Sequence, residues 1–193
     1  MLDYFNLLAD NAIQELEAVD TEGWTVLHRV AAYATAVELL ELIRQGARPE
    51  QEALPLRWNA LHHAVFYGNE ETYKALIPHF ADDMTSMLDE RGWTLLHIAA
   101  SAGHGTIAQD LLERGANPDA LSKPFMSHMP ASLHGRACTP RQVALTQSPE
   151  REAQYVEVMR SCGKLDMAST THGSSCSVDD EGDIFWEANE ILV

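Results

Sequence analysis

The residues best suited to chemistry in this 193-residue sequence are its nine histidines and three cysteines, the side chains that most often bind transition metals or act as nucleophiles. Three of the histidines, His28, His62 and His97, recur at intervals of 34 and 35 residues. Metal-ligand sets use shorter spacings, and the sequence has no HExxH motif, no CxxC pair and no 2-His-1-carboxylate spacing. We therefore expect neither a metal nor another cofactor.

Catalytic motifs are also missing from the sequence. It contains no Walker loop, no GxGxxG fingerprint, no GxSxG elbow and no Cys/His nucleophile pair in a suitable context. The cysteines, Cys138, Cys162 and Cys176, are odd in number and far apart, which is typical of reduced intracellular thiols. The sequence therefore favours a protein that is not an enzyme. We expect it in the cytoplasm, with no signal peptide and no membrane span.

Charge is distributed unevenly along the chain. The sequence has 29 acidic and 13 basic residues, a formal net charge of −16. Residues 1–23 hold six acids and residues 166–193 hold seven, and neither segment has a lysine or arginine. The middle of the chain, 24–165, is nearly neutral, with 16 acids and 13 bases. This balance argues against direct binding to nucleic acid or an anionic membrane, and it favours a protein partner with a basic surface.

A short motif repeats along the middle of the chain. Residues 23–28 are GWTVLH, residues 57–62 are RWNALH and residues 92–97 are GWTLLH. Helix-like apolar spacing follows each copy and runs to a stop signal such as Gly46 or Gly115. A fourth, degenerate copy begins at TPRQVA, residues 139–144. One such unit is too small to bury its own apolar face, so consecutive units must stack.

The repeat resembles the ankyrin repeat family, most closely in its third copy, DERGWTLLHIAASAGHGTIAQDLLERGANPDA. The resemblance implies an all-α solenoid of stacked helix-turn-helix units joined by hairpin-like loops, with the repeated histidine bonded to turn backbone. We assign residues 1–19 to an N-terminal capping helix and 20–165 to the repeat array, interrupted by a long loop at 117–137. Residues 166–193 are expected to form a flexible linker and an acidic-aromatic tail.

Aromatic residues recur at matching positions of these repeats. The family's concave surface is built from the turns and the first helix of each repeat, and aromatic anchors on a rigid surface are typical of protein interfaces. The candidate partner-binding residues in the array are Trp24, Tyr33, Trp58, Phe66, Tyr67 and Trp93, and the tail adds Phe185 and Trp186. Two interpretations of the tryptophans remain open: they touch a partner, or they pack between neighbouring turns.

Three functions compete on these observations. The first is a non-catalytic binding module that inhibits or neutralises a protein, in the manner of an immunity protein facing a basic toxin, nuclease or other effector. The second is an adaptor that holds one partner on the repeats and recruits another through residues 179–193. The third is an enzyme with a site in the 117–137 loop, using His128 and His134. The absence of a catalytic motif makes the third the weakest.

Overall fold

Four pairs of helices follow one another along the chain. The computed structural model describes residues 16–80, 85, 87–124, 135 and 137–164, and the backbone of two short strands beyond them. In this part of the chain the pairs are α1 (Val26–Tyr33) and α2 (Ala36–Arg44), α3 (Ala60–Tyr67) and α4 (Glu70–Leu76), α5 (Leu95–Ala102) and α6 (Gly105–Glu113), α7 (Pro140–Gln147) and α8 (Pro149–Ser161). A 3₁₀ turn, Ile77–His79, follows α4. The predicted helical repeats are confirmed, including the degenerate fourth copy.

The first helix of every pair begins with the same reciprocal cap. In the third repeat, the backbone N–H of His97 donates to Thr94 Oγ1 at 3.4 Å, and the backbone N–H of Thr94 donates to His97 Nδ1 at 3.1 Å. Such a pair satisfies two of the donors that a helix start leaves without a partner. The same capping box is built by Thr25 with His28, Asn59 with His62, and Thr139 with Gln142. The repeated motif is therefore a helix-start signal.

The first helices stack in chain order, α1 on α3, α3 on α5 and α5 on α7, and this stacking forms one continuous core. The fully buried large side chains come from all the inner surfaces of the first three pairs: Leu27, Leu39, Leu42, Leu61, Tyr73, Leu76, Leu95, Leu96, Ile98, Ile107, Leu111 and Leu112. Each buried leucine contributes about 2 kcal/mol of hydrophobic stabilisation. No pair could bury these residues alone, which is why the repeats must stack.

The long loop between the third and fourth repeats is closed at its base. The backbone N–H of Ser122 donates to the carbonyl oxygen of Cys138 at 3.0 Å, and the N–H of Cys138 donates to Ser122 Oγ at 2.9 Å. The N–H of Lys123 also donates to the carbonyl of Arg91 in the preceding turn, at 3.0 Å. The rest of the predicted 117–137 loop, 125–134 and 136, lies outside the described residues.

The two ends of the chain are described only in part. Of the predicted capping helix, residues 1–15 lie outside the described residues, and Leu16 is buried in the core. Beyond the array, β1 (Cys176–Val178) pairs antiparallel with β2 (Ile184–Trp186), so the tail carries two short strands that the sequence interpretation did not include. Isoleucine, phenylalanine and tryptophan in β2 favour extended backbone, and a five-residue connection suits a hairpin.

Candidate functional site

Four of the predicted residues form one patch of aromatic rings on the first two repeats, which we call the aromatic face: Trp24, Tyr33, Phe66 and Tyr67. Tyr67 is at its centre. Its ring centroid lies 4.7 Å from that of Tyr33, 5.1 Å from Phe66 and 6.0 Å from Trp24. Tyr33 is 49% exposed and Phe66 is 39% exposed, whereas Trp24 and Tyr67 are half-buried. Rings that are fixed by one another and still reach solvent can bury large area against a partner at little entropic cost.

The first turn holds Trp24 in place through charge. The Arg29 guanidinium carbon lies 4.1 Å from the centroid of the Trp24 ring, and the same guanidinium pairs with Asp20 at 2.7 Å and Glu22 at 2.9 Å. Asp20 Oδ1 also accepts the backbone N–H of Trp24 at 3.0 Å. The indole thus packs against a neutralised guanidinium, which holds this edge of the aromatic face in place.

Trp58 and Trp93 have a different environment from Trp24. Both are buried, with 7% and 3% of their surface exposed, so they pack between neighbouring turns. Arg91 lies between them, 3.6 Å from the centroid of the Trp93 ring and 5.5 Å from that of Trp58. Sequence reasoning did not select Arg91, because the stacking that brings it over both rings is a property of the assembled repeats.

His63 is a second residue that sequence reasoning missed. It is buried directly beneath the aromatic face, with its ring centroid 4.3 Å from Trp24 and 5.5 Å from Trp58. Neither ring nitrogen has a hydrogen-bond partner, and burial lowers the pKa of His63 to about 3. The corresponding residue is Arg29 in the first repeat and Ile98 and Val143 in the third and fourth, so a histidine where the later repeats have an apolar residue was the signal available in the sequence.

A comparison with known proteins identifies the array. Residues 29–122 match the family model described as ankyrin repeats in three copies. This array belongs to the ankyrin repeat family. The match ends before α7 and α8, which the structure shows as a further ankyrin-type helix pair stacked on α5 and α6. Ankyrin repeats are protein-interaction modules, which agrees with an exposed aromatic face and with the absence of catalytic motifs from the sequence.

Several curated proteins are similar to this ankyrin array over part of their length. The human protein phosphatase 1 regulatory subunit 27 is 49% identical over 63 residues, which are 33% of this chain and 40% of that protein. The human ankyrin repeat and SOCS box protein 3 is 33% identical over 94 residues, 48% of this chain and 18% of its own. The human tRNA endonuclease ANKZF1 is 36% identical over 103 residues, 49% of this chain and 14% of its own. The chain therefore spans less than half of each of these relatives.

The repeated histidines have the structural role that the ankyrin resemblance implies. His28 Nε2 donates to the carbonyl of Gln51 at 2.9 Å, and His97 Nε2 donates to the carbonyl of Cys138 at 2.9 Å, so each histidine links its helix start to the next turn. His62 departs from this pattern, because its Nε2 is buried without a partner. Burial lowers the pKa of both His62 and His97 to about 4, which keeps them neutral at physiological pH.

The remaining predicted site residues stay predictions. Phe185 and Trp186 lie in β2, opposite Ser177 and Cys176, but their side chains lie outside the described part of the chain. His128 and His134, the residues of the enzyme hypothesis, lie outside it too. Among the residues that the structure describes, no three histidine, cysteine or carboxylate side chains are grouped as metal ligands, and no helix is long and apolar enough to cross a bilayer.

Proposed function

We propose that this ankyrin array binds a partner protein on its aromatic face and acts by occupying that partner, as an inhibitor or neutralising protein does. The observation that carries the proposal is the contact chain from Tyr33 through Tyr67 to Phe66, whose outer rings are 49% and 39% exposed. Large aromatic side chains on a rigid surface supply most of the binding energy in typical interfaces. The similarity to a phosphatase regulatory subunit supports a binding role, and it makes a phosphatase one class of partner to test.

The acidic ends supply a second element of this proposal. The six acids in residues 1–23 and the seven in 166–193 would attract a partner with a basic surface and accelerate its encounter with the array. The aromatic face would then hold it. A toxin, a nuclease or another basic effector of the cytoplasm fits this division between encounter and holding.

The test is affinity capture with matched variants. The double variant Tyr33→Ala, Phe66→Ala removes the two outer rings, and Val37→Ala, Leu40→Ala truncates two apolar side chains on α2 that are 75% and 44% exposed. We expect the parent and the α2 variant to capture the same stoichiometric protein, and the aromatic variant to bind it at least about 10-fold more weakly. Equal capture by both variants would contradict the role of the aromatic face.

Salt separates the two elements. Binding that persists in about 0.5 M salt depends on the aromatic face, whereas binding that disappears depends on the charged ends, since exposed charges are screened at this ionic strength.

An adaptor role for the tail is a second candidate, favoured by the separate strand pair β1 and β2. Deleting residues 167–193 should then remove one of two captured partners, while a binder that uses only the array keeps its single partner.

A further inference from the structure

The first turn carries one carboxylate more than its arginine neutralises. Arg29 Nη2 lies 2.7 Å from Asp20 Oδ2 and 2.9 Å from Glu22 Oε2, so two carboxylates share one guanidinium. Asp20 Oδ1 also accepts the backbone N–H of Glu22 at 2.8 Å and that of Trp24 at 3.0 Å, which engages this carboxylate within the turn. The side chain of Glu22 is 59% exposed and accepts from Arg29 alone among the described residues. The surplus negative charge therefore lies at Glu22, in contact with solvent.

Glu22 stands beside the aromatic face. The guanidinium that it pairs with lies over the Trp24 ring, and Trp24 is in turn 6.0 Å from the Tyr67 ring. Burial and the neighbouring Tyr33 raise the pKa of Tyr67 to about 12, and the charge of Glu22 adds to the rise. The carboxylate thus acts on the ring at the centre of the aromatic face. An exposed negative charge and exposed rings belong to one surface.

Elsewhere this array places arginine wherever a ring and a carboxylate lie together. The Arg91 guanidinium carbon is 3.6 Å from the centroid of the Trp93 ring, while its Nε and Nη2 donate to Asp89 Oδ2 at 2.9 and 2.7 Å. The first turn has the same arrangement, with Arg29 over its own tryptophan and paired with its own aspartate. A planar guanidinium can stack on a ring and pair with a carboxylate at the same time, which an ammonium cannot.

The outer part of the aromatic face has the ring and the carboxylate without the cation. Within the described ranges, arginine lies over Trp24, Trp58 and Trp93, and no lysine or arginine lies over Tyr33, Phe66 or Tyr67. Exposed aromatic faces attract cations, and a nearby carboxylate strengthens that attraction. The missing member of the arrangement is therefore a guanidinium from outside the chain.

We propose that the aromatic face binds an arginine side chain of the partner protein. Its guanidinium lies over the rings of Tyr33 and Tyr67, on the side where the Glu22 carboxylate carries the surplus charge. An apolar neighbour of this arginine rests on Phe66, which is 39% exposed. The inference rests on the proposed function for the existence of a partner, and it names the side chain by which that partner is recognised.

The site can be tested on the full chain with small probes and NMR. The probe is the capped tripeptide N-acetyl-Leu-Arg-Leu-amide, and its neutral control has citrulline, which has nearly the shape of arginine without the charge. We expect ring currents to shift the arginine Cδ protons upfield in a saturable manner, with nuclear Overhauser contacts to the Tyr33 ring. The citrulline probe should bind at least about 10-fold more weakly, and a lysine probe at least about 2-fold more weakly.

Two carboxylate variants complete the test. Glu22→Gln removes the surplus charge and should weaken the arginine probe about 3- to 5-fold, with no effect on the citrulline probe. Glu157→Gln changes the net charge equally, at a side chain that is 70% exposed and paired with Arg160 in the fourth repeat, and it should leave the affinity unchanged. Equal weakening by both variants, equal affinities for arginine and citrulline or lysine, or the absence of contacts to Tyr33 would overturn the site.

The same variants distinguish a failure of the site from a failure of the proposed function. If a partner is captured through the aromatic face and Glu22→Gln does not weaken its binding, the arginine site is overturned while the proposed function stands. If no partner is captured at all, the proposed function fails, and the probe titration still decides whether the aromatic face takes an arginine.

Discussion

Trp58 and Trp93 hold the same position in consecutive repeats, yet their surroundings differ in one group. The Trp58 indole N–H meets the Asp89 carboxylate at 3.0 Å, while the Trp93 indole N–H has no acceptor. The difference arises because the indole N–H of Trp58 finds its acceptor, Asp89, in the turn of the third repeat, which follows the second repeat without an insertion. Trp93 precedes the fourth repeat, in which the sequence register of Asp89 falls on His134, a residue that cannot supply a carboxylate.

This difference shows where a repeat array leaves a buried polar group without a partner. A regular turn satisfies the polar groups of the repeat before it, so an interface between two regular repeats is closed chemically as well as sterically. An insertion removes that supply and leaves a buried donor without an acceptor. In this chain the donor that follows the loss of the acidic register is the indole N–H of Trp93.

The largest loss of stability is expected for Asp89→Asn, at the interface between the second and third repeats. This change leaves the Arg91 guanidinium, 7% exposed, without its charge partner and weakens the acceptor for Trp58. Removing one partner of a buried ion pair costs about 3–5 kcal/mol. We expect a loss of that size in the free energy of unfolding, measured by urea titration.

Asp20→Asn is the matched control, since Asp20 holds the same register in the first repeat. Asp20 pairs with Arg29, but the side chain of Asp20 is 28% exposed, so water compensates for much of the lost charge. A loss of about 1 kcal/mol is expected there. Equal losses for Asp20→Asn and Asp89→Asn would contradict the distinction drawn between the closed interface and the rest of the array.

Lowering the pH should reduce the free energy of unfolding through the buried histidines of the second and third repeats. Burial holds the pKa of His62 and His97 at about 4 and that of His63 at about 3, below the ordinary value near 6.5. Between these values the unfolded chain binds protons that the folded chain does not. Stability is therefore complete above about pH 6.5 and falls as the pH drops towards 4, by about 1.4 kcal/mol per pH unit for each histidine.

Glutamine variants assign this acid sensitivity to each interface. Gln142 already has the capping role in the fourth repeat, where its Oε1 accepts the backbone N–H of Thr139 at 2.9 Å. His97→Gln should lose about 1 kcal/mol near neutral pH, because the bond to Cys138 is lost, and near pH 5 it should be about 1 kcal/mol more stable than the parent, because the removal of an acid penalty of about 2 kcal/mol outweighs that loss. His62→Gln should show the gain in acid without the loss, since His62 Nε2 has no partner. Urea titrations at the two pH values measure both effects, and parallel losses would refute this assignment.

The array was predictable from the sequence because its signals are local. The capping residues Thr94 and His97 lie three positions apart, and the helix start at Ser148 and Pro149 needs no distant contact. The cavity of about 290 Å³ that Trp93 and Arg151 line was not predictable in this way. Trp93 and Arg151 are 58 residues apart in the sequence, and only the stacking of the repeats brings them to one wall. The burial of Trp58 and Trp93 likewise follows from stacking, so the recurrence of tryptophan could not separate packing from partner contact.

The smallest effect should come from the turn of the second repeat, where Arg57 replaces a glycine. Its φ is 57°, in the left-handed region that Gly23 and Gly92 occupy at 79° and 71° in the neighbouring turns. A side chain in this region costs about 1–2 kcal/mol, which the greater chain entropy of glycine offsets in part. Arg57→Gly should therefore raise the free energy of unfolding by about 0.5–1 kcal/mol.

Arg57→Ala separates backbone strain from the exposed ion pair that Arg57 forms with Glu52 at 2.7 Å. Alanine removes the ion pair and keeps the strained backbone, so it should leave the stability unchanged or slightly lower, because an ion pair in water contributes little. A gain with alanine equal to the gain with glycine would show that the arginine side chain, and not the backbone, is unfavourable.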